Sequence, residues 1–108
     1  MKHILNLKKA YFNLIKLKQK TIELRVFDDK RKLIKIGDEI EFKCEDENLT
    51  VKVINIIKAN DFLKLCEMID IKKTGFSSVN ELNPVMNEFY PLKTQQELSV
   101  LGIEFEII

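Results

Sequence analysis

The residues of this chain with the clearest chemical potential lie within one short stretch, residues 17–25. At a strand period of two, Thr21, Glu23 and Arg25 point to one face, while the alternate apolar residues point to the other. Lys20 enters this strand from a preceding helix, so we expect an ammonium, a carboxylate and a guanidinium to converge. A carboxylate between two cations stays ionised. The pattern therefore predicts a charged binding site.

Each side chain of this group suits a different ligand atom. The planar fork of Arg25 pairs with two acceptors at once, as a phosphate or a base edge offers, and the Lys20 point charge suits one phosphate oxygen. Glu23 accepts from an amino group of a base or orients the two cations. Tyr11 and Tyr90 offer stacking surfaces for an unpaired base, although aromatic residues on an amphipathic helix are more often core. The competing interpretation is a surface ion-pair ladder, worth under about 1 kcal/mol per pair.

The stretch resembles the signature of the ASCH family, G-x-K-x-x-E-x-R. Lys20, Glu23 and Arg25 match it, and Lys18 stands where the family has glycine. The order of strands, helices and turns is similar to the family along essentially the whole chain. The resemblance implies a cleft, lined by the matched residues, that binds RNA or a nucleotide-like small molecule. If the family glycine serves a positive φ angle or a close ligand approach, Lys18 either is strained or reshapes the helix end. It either blocks the cleft or points outward and adds a phosphate contact.

The resemblance also offers an enzyme as the alternative. One branch of the family hydrolyses acetylated cytidine with the motif lysine, a threonine at the motif-glutamate position and a distant glutamate. Here Glu23 replaces that threonine, Thr21 is displaced by about 7 Å along a strand, and residues 74–77 contain no carboxylate. These departures favour binding over that hydrolase. If the chain is catalytic, Lys20 is the candidate residue, and RNA cleavage by a lysine and a tyrosine stays open.

The hydrophobic pattern predicts an α+β fold across residues 1–108 as one domain, with about five to six strands and three to four short helices. This agrees with the PUA-like β-barrel that the resemblance implies. More specific expectations concern a helix capped by Asn6, a strand over 49–58 covered on both faces in its second half, and a final strand that closes the sheet. A capping box at 78–81 predicts a helix start there, and Pro84 implies that this helix begins or kinks at the proline. A second capping box lies at 94–97.

The charge of the chain is unevenly distributed. Residues 1–36 hold 11 Lys and Arg against three acids, whereas residues 37–108 hold seven against 14. Such polarity indicates a polyanion-binding face if the basic segment stays on one side of the fold. It is equally consistent with solvated lysines that acidic neighbours balance in space. A third possibility is that the acidic half contacts a protein partner.

Several classes of protein are excluded or disfavoured. No apolar run approaches the roughly 20 residues that span a bilayer, and the first residues lack the pattern of a secretory signal, so we expect a cytoplasmic protein. Cys44 and Cys66 lie far apart in apolar contexts, which favours reduced, buried thiols over a disulfide. His3 has no second ligand at metal spacing. We expect neither a metal nor a cofactor.

Overall fold

A computed structural model describes residues 1–108 and contains five strands and four helices. In chain order they are β1 (Lys2–Asn6), α1 (Lys9–Lys16), β2 (Ile22–Val26), β3 (Glu39–Cys44), β4 (Glu47–Ala59), α2 (Phe62–Cys66), α3 (Val79–Phe89), α4 (Leu92–Leu98) and β5 (Val100–Ile107). Short 3₁₀ turns cover Arg31–Leu33 and Ile71–Thr74. The predicted α+β class, with five strands and four short helices, is confirmed.

The five strands form one sheet in the order β1-β3-β4-β5-β2, curled into a half-barrel. β1 runs parallel to β3, and the other neighbouring strands are antiparallel. β1 and β2 are the two edges and do not pair with each other, so the prediction that the final strand closes the sheet is wrong. β5 instead lies between β4 and β2. The half-barrel is consistent with the PUA-like barrel, and its opening lies beside the motif strand β2.

Hydrophobic residues fill both faces of this sheet. On one face, α1 contributes Phe12 and Ile15 to a cluster with the inward side chains of β3, β4 and β5. On the other face, Ile22, Leu24 and Val26 of β2 pack with residues from α2 and α3. The odd-numbered side chains of β2 therefore point away from the second cluster, as strand alternation requires.

The strand predictions are correct for β3 and partly wrong for β4. β3 buries Ile40, Phe42 and Cys44, as its alternation indicates. In β4 the pairing with β5 shifts between Val53 and Asn55, and Ile54 at this irregularity is exposed. Beyond the irregularity, Ile56 packs against the first cluster and Ile57 against the second, so the predicted cover on both faces is correct for them and wrong for Ile54. A bulge re-aims side chains along a strand, and the sequence pattern does not reveal that shift.

The helix starts follow local capping chemistry. Asp61 accepts a hydrogen bond from the backbone N–H of Lys64 at the start of α2. Ser78 accepts one from Glu81 at the start of α3. α3 begins at Val79, so the predicted cap at Ser78 is confirmed. The helix continues through Pro84, so the alternative start at the proline is wrong.

Two predicted caps are wrong. α1 begins after Lys8, which makes no side-chain cap bond, because Asn6 remains in β1 opposite Lys43 of β3. α4 begins at Leu92, directly after Pro91, and Thr94 lies inside it. Pro91 precedes the helix with an extended backbone, and its carbonyl accepts from the N–H of Gln95, so the helix is already under way at Thr94.

The cysteines and the histidine lie outside the motif. Cys44 is buried and Cys66 is half-buried; both are free thiols, and burial raises the pKa of Cys66. His3 is buried, with its Nε2 2.8 Å from Oδ2 of Asp38. This hydrogen bond and one from the backbone N–H of Lys35 lower the pKa of Asp38 to about 2. None of the helices is long and apolar enough to span a membrane.

Acidic neighbours neutralise part of the basic segment. Lys2 pairs with Glu41 at 3.0 Å, and Lys16 pairs with Glu47 at 2.8 Å. Both acids belong to the acidic half of the sequence, which β1–β3 pairing and α1 packing bring beside the basic half. For these residues the structure supports the interpretation that the two halves balance each other in space.

Candidate ligand-binding site

A cavity of about 200 Å³ lies at the opening of the half-barrel, beside the free edge of β2. We call it the edge cavity. Its lining comes from the end of β1, the start of α1, β2 and α3: Asn6, Leu7, Lys8, Tyr11, Lys20, Glu23, Leu24, Arg25, Phe76, Met86, Phe89 and Tyr90. The cavity thus brings together five of the residues singled out from the sequence.

Lys20 forms the innermost polar contact of the edge cavity. Its Nζ lies 2.9 Å from the carbonyl oxygens of Ile22 and Thr74 and 3.1 Å from Oε1 of Glu23. Burial lowers the pKa of Lys20, and the charge of Glu23 opposes that effect. Three acceptors require the three N–H groups of an ammonium, since a neutral amine has only two. Lys20 is therefore a charged anchor whose donors are already used.

Glu23 and Arg25 form the second part of the polar floor. Arg25 donates from Nε to Oε2 of Glu23 at 2.7 Å and from Nη2 to the carbonyl oxygen of Asn6 at 2.8 Å. Although burial disfavours the Glu23 carboxylate, Lys20 and Arg25 together lower its pKa. Burial also disfavours the Arg25 cation, but Glu23 and Tyr90 raise its pKa. The convergence expected from the sequence is present, and the bond to Asn6 joins the two unpaired edges of the sheet.

Aromatic rings form the walls of the edge cavity. Tyr11 packs against Phe76 with ring centroids 5.9 Å apart, and Tyr90 packs against Phe62 at 6.0 Å. These are the only two tyrosines of the chain, and both line this cavity. Burial, and then the charge of Glu23, raises the pKa of Tyr11, so its phenol stays protonated. The cavity therefore combines aromatic walls with a charged floor.

The backbone of β2 adds a donor and an acceptor at the same place. The carbonyl of Thr21 accepts from the N–H of Phe105 in β5, and the N–H of Phe27 donates to the carbonyl of Ser99, just before β5. The backbone groups of the odd-numbered residues within β2 therefore point toward β5. The backbone N–H and C=O groups of Ile22 and Leu24 point away from β5. The carbonyl of Ile22 accepts a hydrogen bond from Lys20 on that side. Leu24 lines the edge cavity and presents a peptide N–H and C=O there.

Lys18 and Thr21 do not line the edge cavity. They line a second cavity of about 240 Å³ with Lys20, which lines both cavities, and this second cavity contains neither the tyrosines nor the Glu23–Arg25 pair. Lys18 is exposed and has φ of 61°, the left-handed conformation that glycine favours. It therefore does not fill the edge cavity. The predicted ligand contacts of Lys18 and Thr21 stay predictions, and the structure does not bring them together with Arg25.

Sequence reasoning missed seven of the twelve residues that line the edge cavity, and also the backbone acceptors of its floor. The carbonyl oxygens of Asn6 and Thr74 carry no side-chain signal, so no residue pattern announces them. Phe76 follows Gly75, whose φ of 91° turns the chain toward Lys20. Gly75 was therefore the only sequence signal for the part of the cavity wall that Phe76 forms. Lys8 and Phe89 lie far apart in sequence, and only the fold shows that they meet.

The comparison with known families agrees with this geometry. The model of the ASCH domain matches residues 5–108, nearly the full chain. The chain belongs to the ASCH domain family. Lys18, at the glycine position of the family signature, has the positive φ that a glycine would adopt most easily. The three matched residues of this ASCH domain, Lys20, Glu23 and Arg25, lie together on the floor of the edge cavity.

Two solved structures are similar to this ASCH domain over its full length. The crystal structure of the hypothetical protein PH0355 has 35% sequence identity and a TM-score of 0.90, with all of both chains covered. The solution structure of protein PF0455 from Pyrococcus furiosus has 33% identity and a TM-score of 0.79, covering all of this chain and 98% of the other. No curated protein matches significantly. These two proteins are therefore similar to this chain over the whole fold.

Proposed function

We propose that this ASCH domain binds RNA, or a small molecule derived from a nucleotide, by receiving one unpaired base in the edge cavity. The observation that carries the proposal is the meeting of both tyrosines with the buried Glu23–Arg25 pair in one cavity. A base has flat apolar faces and a polar edge. A site with aromatic walls and a charged floor complements both features.

The walls support stacking. Base–aromatic stacking contributes about 1–3 kcal/mol per base and tolerates any base, because every base has a π face. Tyr11 and Tyr90 come from α1 and from the end of α3, so they reach the edge cavity from different sides. Two such surfaces favour an unpaired base, since the faces of a base inside a duplex are already stacked on its neighbours.

The floor supports recognition of a base edge. Arg25 uses Nε and one Nη2 hydrogen on the protein, which leaves other N–H donors of its guanidinium for a ligand. Each oxygen of the Glu23 carboxylate accepts one bond and has capacity for another. The peptide N–H and C=O of Leu24 add a neutral donor and acceptor. Adjacent donors and acceptors of this kind are what the polar edge of a base requires.

Hydrolysis is the second function that the sequence leaves open. Burial lowers the pKa of Lys20, which is the change that a lysine base needs. Its three acceptors oppose that role, because Lys20 would have to give up one hydrogen bond before it could accept a proton. We therefore rank binding first. A protein partner for the acidic half and a cytoplasmic location stay predictions.

A binding measurement with an Arg25→Lys variant tests the proposal. The lysine keeps a positive charge beside Glu23 and loses the planar fork, so the fold is retained while the base-edge contact is lost. We expect affinity for a short single-stranded RNA, followed by fluorescence anisotropy at two salt concentrations, to fall at least about tenfold. Arg25→Ala is less suitable, because removing one partner of a buried pair costs about 3–5 kcal/mol of stability.

Lys93→Gln is the matched control. Lys93 is an exposed lysine of α4 outside the lining of the edge cavity. Its loss removes one charge and is expected to change affinity only slightly. Unchanged affinity in Arg25→Lys, or equal losses in the two variants, would contradict the proposal and indicate a general electrostatic surface.

A further inference from the structure

Among the cations that line the edge cavity, Lys8 differs from the other two. Lys20 has three acceptors around its Nζ, and Arg25 is paired with Glu23 and the carbonyl of Asn6. Lys8 is exposed and forms no ion pair. Its ammonium therefore remains available to an anionic group of a ligand, which the ammonium of Lys20 is not.

The side chain of Lys8 makes one contact across the cavity. Its Nζ lies 4.5 Å from the ring centroid of Phe89, within the range of a cation–π interaction. Lys8 precedes α1 on one wall, whereas Phe89 ends α3 on the other, and both side chains are exposed. The contact thus places a positive charge at the outer part of the cavity, opposite the buried floor.

The size of the edge cavity limits what can enter it. At about 200 Å³ it is smaller than the roughly 300–1,000 Å³ of sites that enclose drug-sized ligands. A base on the floor therefore leaves its sugar and phosphate near the mouth. An ammonium at the mouth suits a phosphate oxygen as a point charge.

We infer that Lys8 is the phosphate contact of this site and that the ligand is a phosphorylated nucleotide unit rather than a free nucleoside. The inference rests on the proposed function, because it needs the base in the edge cavity. It assigns the phosphate to a residue outside the family signature and leaves Lys20 as the anchor of the floor. The phosphate belongs either to a free mononucleotide or to the phosphodiester of an RNA strand.

Calorimetric titration at low salt tests the inference. The probes are the four ribonucleosides, their 5′- and 3′-monophosphates, and dinucleotides with one phosphodiester. For the base that binds best, we expect the unaltered protein to hold a phosphorylated probe at least about tenfold tighter than the nucleoside. In Lys8→Gln this preference falls to less than about twofold while affinity for the nucleoside is unchanged. The preferred phosphorylated probe then distinguishes a free nucleotide from a strand.

Lys9→Gln and Lys8→Arg are the matched controls. Lys9 is the adjacent exposed lysine, lies outside the edge cavity and is near Glu47, so its loss is expected to leave the preference intact. Lys8→Arg keeps the charge and is expected to keep the preference. Equal affinities for nucleosides and phosphorylated probes, or a preference that survives Lys8→Gln, would overturn the inference alone. If no probe binds although single-stranded RNA does, the inference alone fails; if single-stranded RNA does not bind either, the proposed function itself fails.

Discussion

At the scale of single residues, the central result is that one strand carries two kinds of chemistry on opposite faces. Strand alternation and the position of Lys20 were sufficient to predict that three charges converge. The burial of these charges was not predictable, since it depends on Thr74 and Asn6, which contribute backbone carbonyls from distant segments. Lys20 consequently holds the site together, and its ammonium is less available to a phosphate than its charge suggests.

Lys18 shows how a single residue departs from its local backbone preference. The N–H of Lys18 bonds to the carbonyl of Ile15, and that of Gln19 bonds to the carbonyl of Leu14. Together with the positive φ of Lys18, these bonds form a Schellman motif at the end of α1. Glycine is the usual residue at this position, because a side chain in the left-handed region costs about 1–2 kcal/mol.

We expect Lys18→Gly to stabilise the protein by about 1 kcal/mol, because it removes that backbone cost. The measurement is the urea midpoint, at an unchanged dependence of unfolding free energy on urea. Gln19→Gly is the control: this exposed neighbour lacks a positive φ, so glycine there is expected to lower stability by roughly 0.5–1 kcal/mol. A destabilised Lys18→Gly variant would refute the account of this helix end.

At the scale of elements, Gln95 connects the helices that carry one wall of the edge cavity. It is fully buried, accepts from the backbone N–H of Phe62, and donates to the side chain of Asn87 and the carbonyl of Tyr90. It therefore ties α4 to the start of α2 and to the end of α3, where Tyr90 lies. The sequence showed only a capping pattern around Gln95, because its three partners are distant in the chain or belong to the backbone.

Replacing Gln95 by leucine is expected to lower the free energy of unfolding by about 2–4 kcal/mol, since buried donors and acceptors lose their partners. The amide of Phe62 is expected to exchange its hydrogen faster than neighbouring amides of α2, which hydrogen-exchange measurements can resolve. Gln96→Leu, at the adjacent exposed position, is the control and is expected to change stability little. Equal effects of the two substitutions would mean that Gln95 does not hold these helices together.

At the scale of the whole molecule, the fold class was predictable and the opening of the barrel was not. Alternating strands and short helices indicate an α+β barrel, but no pattern tells whether the first and second strands pair. The distribution of charge in space was not predictable either. The two halves of the sequence are oppositely charged, yet the fold places Lys2 of β1 beside Glu41 and Lys16 of α1 beside Glu47. We therefore place the proposed ligand entry at the opening of the sheet, and not on the net positive charge of residues 1–36.

The most direct test of the central claim uses the fact that both tyrosines of the chain line the edge cavity. With tyrosine rings labelled for NMR, the spectrum contains signals from Tyr11 and Tyr90 alone, and a Tyr11→Phe variant assigns them. We expect a short single-stranded RNA to shift both sets of ring signals, because a base stacks between them. The same sequence as a duplex is expected to leave them unchanged. If single-stranded RNA shifts signals elsewhere and neither tyrosine responds, the edge cavity is not the binding site and the account is wrong.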